Sequence, residues 1–443
     1  MRERKIFGTD GVRDVANAGK MTAENALKLG RALVKAKGIR RAVIGRDTRR
    51  SGRMLESALI SGISSEGAEV YVLGIMPTPG VSYAVRELKA DSGAVISASH
   101  NPAEYNGIKF LGSDGCKLSD EEELSIEDEL NSEPTRGVRI GKIYDEPEVV
   151  REYAESIAKL MEPCAGMRDI VFDCGNGANA ETVPILLGAT EPKLKSLNAE
   201  IISVDYDGDN INAGCGVMHM ETLTGYVKAR GKQLGFAFDG DADRVLISDK
   251  YGRVIDGDII MWELGKWLKK LGYAGSDKVA ATVMSNEALA RRLGEAGIEM
   301  LRSPVGDRYV LELMRETGAA LGGEQSGHII AREFTSTGDG LCTAMLFLNA
   351  IAELGDDPSG LIERFGRYPQ RLTNLKLRVK REDVDMRAVN EIASDYEGRL
   401  RDGRILIRLS GTEPLLRILV EASKAEVVEE LTERLTSTLK EYC

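Results

Sequence analysis

The sequence lacks an excess of positive charge and a long apolar run, and each absence excludes a large class of protein. Lysine and arginine total 59 against 70 aspartates and glutamates, for a net charge of -11. This leaves no cationic excess for general binding to nucleic acid or anionic membranes. No apolar run approaches the roughly 18–20 residues that span a bilayer. An anionic small molecule remains open as a partner, because a local basic cleft can lie within an acidic protein.

Cysteine is scarce and scattered. The six cysteines contain no C-x-x-C pair and lie far apart in the chain: Cys116, Cys164, Cys174, Cys215, Cys342 and Cys443. A disulfide framework and a zinc site are therefore not expected, and a reducing cytoplasm fits best. Residues Met1 to Lys5 are polar and run into Ile6 without a signal-peptide core. We therefore expect a cytoplasmic protein.

Proline is also rare, with 12 residues against 48 glycines, which predicts many tight turns between regular elements. Strand-like and helix-like segments alternate in the first part of the chain, with strands at 41–45, 68–75 and 93–96 and helices at 51–66 and 78–88. Ser51 is the candidate N-cap of the first of these helices. This alternation predicts a parallel sheet covered by helices.

The alternation returns from Asp169 and again from Lys278. The C-terminal part predicts instead two strands, 404–408 and 416–420. A final helix follows, with four apolar residues on one face: Val427, Leu431, Leu435 and Leu439. Since a single core stops growing at roughly 250–300 residues, several domains are expected. We predict three α/β domains with mixed or mostly parallel sheets and a smaller C-terminal α+β domain around a central cleft. The predicted limits are 1–148, 149–252, 253–367 and 368–443.

Ser99 follows the apolar strand 93–96, in the segment Ile96-Ser97-Ala98-Ser99-His100-Asn101-Pro102. Open α/β sheets bind ligands at the carboxyl ends of their strands, so this serine is a candidate nucleophile. The simpler local interpretation is a serine or Asx turn closed by Pro102. The segment is not a nucleophile elbow, which would read G-x-S-x-G.

Three aspartates alternate between two apolar strands in Asp239-Gly240-Asp241-Ala242-Asp243-Arg244. Such carboxylates can converge on one cation, and Mg²⁺ prefers oxygen ligands. Because they would repel each other without a cation, we interpret the loop as a magnesium site rather than a solvated acidic turn. An EF-hand is excluded, since its sixth position is Arg244 and its twelfth is Lys250.

A second stretch, 205–209, shows the same alternation of aspartates. It leads into the polar residues 210–214 rather than into a strand. We interpret it as a surface turn.

Three other segments carry groups suited to phosphate or sugar. Arg408, Ser410, Gly411, Thr412 and Arg417 can form a phosphate cradle, although a hairpin turn with surface charges fits equally well. The loop from Gly322 to His328 offers Glu324, Ser326 and His328 to sugar hydroxyls, with glycines that allow close approach. Segments 8–13 and 45–49 place arginines beside turn residues, and either fits a salt-bridged loop.

These five segments, in this order, resemble the α-D-phosphohexomutase family, and within it the phosphoglucosamine mutases. The resemblance covers essentially the whole chain, through residues 7–13, 97–102, 239–244, 324–328 and 410–414. Gln325 and the segment 305–310 favour the glucosamine branch. Ala242 departs from the family pattern, which usually has glycine there. This matters only if the loop requires a positive φ. Leu409 stands where proline is common.

The resemblance implies that Ser99 carries a phosphoryl group and donates it to a hexose monophosphate. A hexose 1,6-bisphosphate forms, and its other phosphate returns to Ser99. It also implies interconversion of glucosamine 6-phosphate and glucosamine 1-phosphate, one Mg²⁺ per subunit and a hexose 1,6-bisphosphate as activator. The implied catalytic residues are Ser99, His100, Lys109, Arg244, His328 and Arg13. Ser99, Asp239, Asp241 and Asp243 are the implied magnesium ligands, and Glu324, Ser326, Gly327, Arg408, Ser410, Gly411, Thr412 and Arg417 bind substrate.

Other functions compete with this one. A phosphomannomutase or phosphoglucomutase would use the same mechanism, and a phosphatase would hydrolyse its phosphoserine. A non-catalytic sugar-phosphate sensor fits less well, since it has no need of a phosphoryl-accepting serine. The expected partner is a small hexose phosphate, with no nucleic acid or membrane, and the protein is expected to be a monomer or a homodimer.

Overall fold

The structure is a computed structural model. It describes residues 5–8, 10–161, 168–189, 197–380, 383–398, 400, 402–409 and 414–440. The chain divides into two compact units. The first contains residues 1–284 and 297–361, and the second contains residues 285–296 and 362–443.

The first sheet of unit 1 is mixed and has the strand order β1-β5-β4-β2-β3-β6. Strands β4, β2, β3 and β6 are parallel neighbours, whereas β5 runs antiparallel to both β4 and β1. The strands are β1 (Val12–Val15), β2 (Arg41–Arg46), β3 (Glu69–Ile75), β4 (Ser92–Ile96), β5 (Tyr105–Gly112) and β6 (Ile143–Asp145). The helices of this region are α1 (Ala23–Lys37), α2 (Gly52–Ser65), α3 (Thr78–Glu87) and α4 (Asp120–Glu129).

The second sheet has the order β11-β10-β9-β7-β8, with β10 antiparallel to β9. Its strands are β7 (Asp169–Asp173), β8 (Asn198–Ile202), β9 (Leu234–Phe238), β10 (Val245–Asp249) and β11 (Val254–Ile255). The accompanying helices are α5 (Val149–Ala158), α6 (Asn179–Gly188) and α7 (Met220–Arg230). Every residue of β9 is buried, as expected for a central strand with a continuous apolar run.

The third sheet has the order β13-β12-β14-β15, with only β15 antiparallel. Its strands are β12 (Lys278–Thr282), β13 (Glu299–Ser303), β14 (Leu321–Gly323) and β15 (Ile329–Ala331). The helices of this stretch that lie in unit 1 are α8 (Gly257–Leu271), α10 (Asp307–Thr317) and α11 (Gly340–Leu354). Helix α12 (Pro358–Phe365) crosses the boundary between the units.

Unit 2 contains an antiparallel sheet of order β16-β18-β17. Its elements are β16 (Gln370–Lys376), β17 (Gly403–Leu409), β18 (Leu415–Ala422), α9 (Glu287–Glu295), α13 (Met386–Glu397) and α14 (Ala425–Leu439). Leu431, Leu435 and Leu439 of α14 are buried in its core with Val428, and Val427 packs at the margin. Strand β16 adds a third member to the two strands predicted for this region.

The predicted fold class is confirmed, because three α/β sheets precede a smaller α+β region. The predicted domain limits at 148, 252 and 367 stay a prediction. Ser51 occupies the N-cap position of α2, but its side chain makes no capping hydrogen bond. Its hydroxyl instead accepts a hydrogen bond from the amide of Asn106 over 2.8 Å, since that side chain is near enough to use the oxygen.

Helices α1 and α2 cross in close contact because each carries a glycine at the crossing. A methyl group on Gly62 would lie 2.2 Å from the carbonyl oxygen of Leu27, and one on Gly30 would lie 2.5 Å from that of Leu59. Carbon atoms do not approach backbone oxygen so closely. The packing of α2 beneath the first sheet therefore depends on these two glycines.

We expect Gly62→Ala to lower the stability of unit 1, since the added methyl forces the two helices apart; overpacking of this kind costs roughly 1–3 kcal/mol. Gly225→Ala in α7 is the matched control, because nothing lies within 4 Å of the added methyl. There the better helix propensity of alanine should give a gain of about 0.5–1 kcal/mol. Thermal unfolding measures both, and equal shifts would contradict the close-packing argument.

Candidate active site

Ser99 lies in a left-handed turn just after β4. Its φ is +52°, a region that non-glycine residues seldom adopt, and its side chain is 1% exposed. The hydroxyl donates a hydrogen bond to Oδ2 of Asp239 over 2.7 Å. Strained backbone of this kind persists only where surrounding contacts enforce it, so the contacts that hold the turn are part of the site.

A buried ion pair supports the Ser99 turn. Arg49 donates to the carbonyl oxygens of Ser99 over 2.9 Å and of Asn101 over 2.8 Å. Its Nε donates to Asp47 over 2.9 Å, and the hydroxyl of Ser97 also donates to Asp47. Arg49 and Asp47 are fully buried. Segment 45–49 is thus a salt-bridged loop whose charges hold the candidate nucleophile.

The three aspartates lie on the loop between β9 and β10, and the backbone of this loop is held by three different parts of unit 1. Each of three successive carbonyl groups accepts one hydrogen bond. The pairs are Gly240 O with Ala178 N (2.8 Å), Asp241 O with Thr78 N (2.9 Å) and Ala242 O with Gly340 N (3.0 Å). The loop therefore depends on tertiary contacts for its shape.

Carboxylate oxygens of Asp239, Asp241 and Asp243 lie within 4.8 Å of one another, and all three residues are buried. Oδ1 of Asp241 and Oδ1 of Asp243 have no hydrogen-bond partner among the described residues. Buried anionic oxygens without partners are costly, whereas Mg²⁺ takes such ligands readily. The donor set therefore fits a magnesium ion, and it is the one acidic cluster of this kind in the described part of the chain.

The electrostatics of the three carboxylates are unequal. Burial, and then the charges of Asp243 and Asp241, raise the pKa of Asp239 well above its ordinary value. Burial also acts on Asp241, but the ammonium group of Lys109 outweighs it and lowers the pKa of Asp241. The charged form is therefore disfavoured at Asp239, beside the hydroxyl of Ser99, and favoured at Asp241, beside Lys109. A cation placed next to Asp239 would offset this cost.

Lys109 brings positive charge to the aspartate cluster from strand β5. Its Nζ lies 2.6 Å from Asp241, 3.6 Å from Asp243 and 3.4 Å from Asp10. Burial opposes its charge, but these carboxylates raise the pKa of Lys109 above its ordinary value. The side chain is therefore a cation next to the site.

Arg244 and His100 flank Ser99. Nδ1 of His100 lies 3.3 Å from Oγ of Ser99 and 3.4 Å from Nη1 of Arg244. Burial, and then the charges of Arg244 and Arg13, lower the pKa of His100 to about 4. His100 is therefore neutral near pH 7, and its Nδ1 accepts from the guanidinium group. Arg13 lies on the other side of the turn, where Nη1 is 3.3 Å from Oδ1 of Asn101.

The candidate sugar loop is the turn of the β14–β15 hairpin. Glu324 accepts from the backbone N–H of Gly306 over 3.2 Å and from the hydroxyl of Ser326 over 3.4 Å. Gly327 has a φ of +93°, and a methyl group on it would lie 2.2 Å from the carbonyl oxygen of Val245. Glycine is therefore required at this position for the loop to pack against strand β10, which follows the aspartate loop, residues 239–244.

His328 follows in the same turn and joins the candidate sugar loop, residues 322–328, to the aspartate loop, residues 239–244. Its backbone pairs with that of Arg244 as an isolated antiparallel bridge. Gln325, which we associated with the glucosamine branch, directs its amide at Asp256 over 3.1 Å. The side chain of Gln325 therefore supports the start of helix α8.

The candidate phosphate cradle belongs to unit 2. Arg408 on β17 and Arg417 on β18 are directly paired across the two strands. Burial, and then the charge of Arg417, lower the pKa of Arg408. Two cations placed opposite each other are unfavourable unless an anion lies near them. Ser410, Gly411 and Thr412 lie outside the described residues.

Four domain models of one family match the chain in order. They are described as the α/β/α domains I, II and III and the C-terminal domain of phosphoglucomutase/phosphomannomutase. They match residues 4–137, 151–252, 256–368 and 372–437.

Curated relatives are similar over nearly the full length. A phosphoglucosamine mutase of Carboxydothermus hydrogenoformans is 44% identical, over 98% of this chain and 99% of the relative. One from Bacillus subtilis is 40% identical over 98% of each chain. The chain belongs to the phosphoglucosamine mutases of this family. It is therefore an enzyme of the phosphohexomutase class, as the motifs predicted.

Solved structures agree in fold. A phosphoglucomutase/phosphomannomutase family protein from Burkholderia thailandensis matches with a TM-score of 0.82 at 26% identity, over 99% of this chain and 97% of the other. An N-acetylphosphoglucosamine mutase from Aspergillus fumigatus, solved with GlcNAc-6P and magnesium, matches with a TM-score of 0.69 at 15% identity, over 99% and 96% of the two chains. At that identity the second match bears on fold alone.

Asp209, in the turn at 205–209, forms an exposed ion pair with Arg50, in keeping with the surface turn that the sequence predicts. Among the described residues, none of the helices has the length and apolar character that a membrane-crossing segment needs.

The sequence reasoning missed three charged residues of the site. Asp10, Lys117 and Asp307 form a partly buried chain of ion pairs beside Lys109. Asp10 lies in segment 8–13 and Asp307 in segment 305–310, but neither was predicted to take part in the site. Lys117 lies in none of the predicted segments. Its only signal in the sequence is its position next to the apolar residue Leu118, after the turn at Gly115.

Ala242 has a φ of +58° and is buried, so the loop does require the conformation that glycine adopts more readily. We expect Ala242→Gly to stabilise the enzyme, because relief of the left-handed strain, about 1–2 kcal/mol, exceeds the entropic cost of glycine, about 0.5–1 kcal/mol. Ala242→Val should be strongly destabilising. Thermal unfolding of both variants checks the order Gly, Ala, Val, and a less stable glycine variant would contradict it.

Proposed function

We propose that this enzyme interconverts glucosamine 6-phosphate and glucosamine 1-phosphate through a phosphoryl group carried on Ser99. The observation that carries the proposal is the position of that hydroxyl. It is buried at the carboxyl end of β4, 2.7 Å from one aspartate of a three-carboxylate cluster. Phosphoryl transfer needs an acceptor oxygen held beside a divalent cation, and the described residues hold such an oxygen beside carboxylates that are suited to one.

Asp239, Asp241 and Asp243 would hold Mg²⁺, together with an oxygen of the Ser99 group. When bound there, the ion offsets negative charge on the phosphoryl oxygens during transfer. Arg244 and Lys109 add positive charge from two sides. The neighbouring His100, being neutral, accepts from Arg244 and so helps to orient its guanidinium group.

The first transfer forms a bond between phosphorus and a sugar hydroxyl oxygen and breaks the bond between phosphorus and Oγ of Ser99. The proton of that hydroxyl passes to a base, for which His328 is the candidate, while the charge of Lys109 stabilises the serine oxygen. A hexose 1,6-bisphosphate results. In the second transfer the other phosphate returns to Oγ of Ser99, and the monophosphate isomer is released.

The bisphosphate must present each of its two phosphates to Ser99 in turn, so the groups that bind the sugar must accept both orientations. Glu324, Ser326 and Gly327 are proposed to contact sugar hydroxyls. Arg408 and Arg417, with Ser410, Gly411 and Thr412, are proposed to bind the phosphate that is not reacting. The close cross-strand pair of arginines supports this role, since an anion would relieve their repulsion. Binding energy gathered far from the reacting bond then serves to position it.

Other sugars are the main alternative within this mechanism. Mannose and glucose phosphates differ from glucosamine phosphate at the second carbon. Coupled assays on all three measure the preference directly. A sugar other than glucosamine turned over most efficiently would overturn the choice of substrate while leaving the role of Ser99 intact.

The described cysteines Cys116, Cys174, Cys215 and Cys342 are free and buried. A reducing compartment keeps such thiols intact. This supports our proposal that the enzyme works in the cytoplasm.

Ser99→Ala should abolish mutase turnover, with a loss of at least ~10³-fold, because the variant has no oxygen to carry the phosphoryl group. Ser125→Ala is the matched control, since that hydroxyl only bonds the carbonyl oxygen of Glu122 within helix α4. Coupled assay of product formation gives the rates, and intact mass after incubation with hexose 1,6-bisphosphate shows whether one phosphate is added. A near-normal rate for Ser99→Ala would exclude the mechanism; release of inorganic phosphate without isomerised product would indicate a phosphatase.

Removal of divalent metal with EDTA should abolish turnover, and added Mg²⁺ should restore it. Mg²⁺ should also raise the unfolding temperature of the wild-type enzyme, since a ligand that binds only the folded state stabilises it. Asp241→Asn should lose this shift, whereas Asp207→Asn in the exposed acidic turn should keep it. Activity that survives EDTA, or a shift that Asp241→Asn retains, would count against the site.

A further inference from the structure

His328 is buried, with 2% of its surface exposed, and its two ring nitrogens have different surroundings. Nε2 lies 3.3 Å from Oδ2 of Asp307. Both nitrogens are buried, and neither makes a hydrogen bond to a described residue, so Nε2 approaches Asp307 at ion-pair distance only. A buried polar atom without a partner is uncommon and costly in a folded protein. One nitrogen therefore faces a carboxylate, and the other is left for a group that the protein does not supply.

The ring of His328 has little freedom to turn away from this arrangement. Gly338 lies against it so closely that a methyl group there would be 2.3 Å from Nε2. Asp307 is itself fixed, because it is the first residue of helix α10. The backbone at Gly338 and the start of α10 thus confine the imidazole.

Lys117 holds the carboxylate that faces the ring. Its Nζ lies 2.5 Å from Oδ2 of Asp307 and 2.5 Å from Oδ1 of Asp10. Burial alone would raise the pKa of Asp307, but the charge of Lys117 outweighs it, and the pKa is lowered to about 2. Asp307 is therefore a carboxylate under ordinary conditions.

Through Asp10, the same lysine also connects Asp307 to Lys109. Oδ2 of Asp10 lies 3.4 Å from Nζ of Lys109. A continuous series of charged groups therefore runs from Lys109 through Asp10 and Lys117 to Asp307, and it ends against the ring of His328. It starts on strand β5 of the first sheet and ends on the hairpin of the third.

We propose that Lys117 and Asp307 are positioning residues that place the proton of His328 on Nε2 and present Nδ1 to the substrate. This inference rests on the proposed function. A neutral imidazole carries its proton on one nitrogen only, and a facing carboxylate favours the proton on that side. The lone pair on Nδ1 then accepts the proton of the attacking sugar hydroxyl as its oxygen bonds to phosphorus. The same proton returns to the leaving oxygen in the second transfer, so the imidazole ends the cycle neutral.

A purely structural role for the Lys117–Asp307 pair is the alternative. Other ion pairs join helix α10 to residues 114–123. Arg308 pairs with Asp120 and Glu123, and Arg315 pairs with Asp114. If these pairs only docked α10, loss of either the exposed Arg315 pair or the more buried Lys117 pair would weaken docking without moving the proton of His328. Arg315→Met is therefore the matched control, since it removes a docking pair without touching the histidine.

The direct test is the protonation pattern of His328 in the full-length enzyme with Mg²⁺ bound. The chain has three histidines, so ¹⁵N-labelled histidine gives a simple spectrum in which the shifts of the two ring nitrogens show which one carries the proton. His100→Gln and His219→Gln assign the His328 signals by elimination, without altering that residue. We expect the proton on Nε2. A proton on Nδ1 would overturn the proposal, whatever the activity of the sample.

Kinetics of four variants provide the second test. Asp307→Ala and Lys117→Met should lower kcat by about 10-fold or more with KM changed less than about 2-fold, because proton transfer rather than binding is impaired. Lys117→Arg should recover most of the rate, since it restores the cation. Arg315→Met should behave as wild type in rate and in its ¹⁵N spectrum. Equal rate losses in Arg315→Met and Lys117→Met, or an unchanged His328 spectrum in Asp307→Ala, would contradict a positioning role.

Failure of this inference can be told apart from failure of the proposed function. If Ser99 takes a phosphate from hexose 1,6-bisphosphate while His328 carries its proton on Nδ1, the mutase mechanism stands and the positioning proposal is wrong. If Ser99 takes no phosphate, the mutase mechanism is wrong, and the ¹⁵N spectrum still decides which nitrogen of His328 carries the proton.

Discussion

The site depends on the confinement of three carboxylates in a small buried volume. Like charges repel more strongly away from water, so Asp239, Asp241 and Asp243 can share this space only if positive charge accompanies them. Lys109 supplies part of it from the first sheet, within 2.6 Å of Asp241. Arg244 supplies another part from the aspartate loop itself. Two carboxylate oxygens have no hydrogen-bond partner among the described residues, and such oxygens fit a metal ion as ligands.

The same constraint explains why unusual backbone occurs next to the carboxylates. Both Ser99 and Ala242 are in the left-handed region, which costs energy for residues with a side chain. The cost is offset by contacts from other parts of unit 1. Arg49 binds the carbonyl oxygen of Ser99, and the N–H of Gly340 binds that of Ala242. Neither turn could be stable as an isolated peptide, because its partners are distant in the chain.

Local patterns were sufficient for part of the fold and of the site. The strand β2 was predicted at 41–45 and lies at Arg41–Arg46, and the aspartate loop was predicted because three aspartates alternate between two apolar strands. The strand β16 was missed, since most of its residues 370–376 are polar and give only a weak apolar signal at the edge of the sheet. Lys117 was missed for a related reason. Its importance comes from the two partly buried carboxylates that pair with it, and its own neighbours in the sequence do not reveal them.

The sequence by itself determined the family and located the candidate serine and the acidic loop, because each is encoded in short continuous segments. Only the tertiary structure decided which charges meet. It brought Lys109 to Asp241 across 132 residues, turned Gln325 toward a helix start and placed Asp307 between Lys117 and His328. The physical reason is that ion pairing and burial depend on distances between segments far apart in the chain. Periodicity and turn chemistry act only over a few residues.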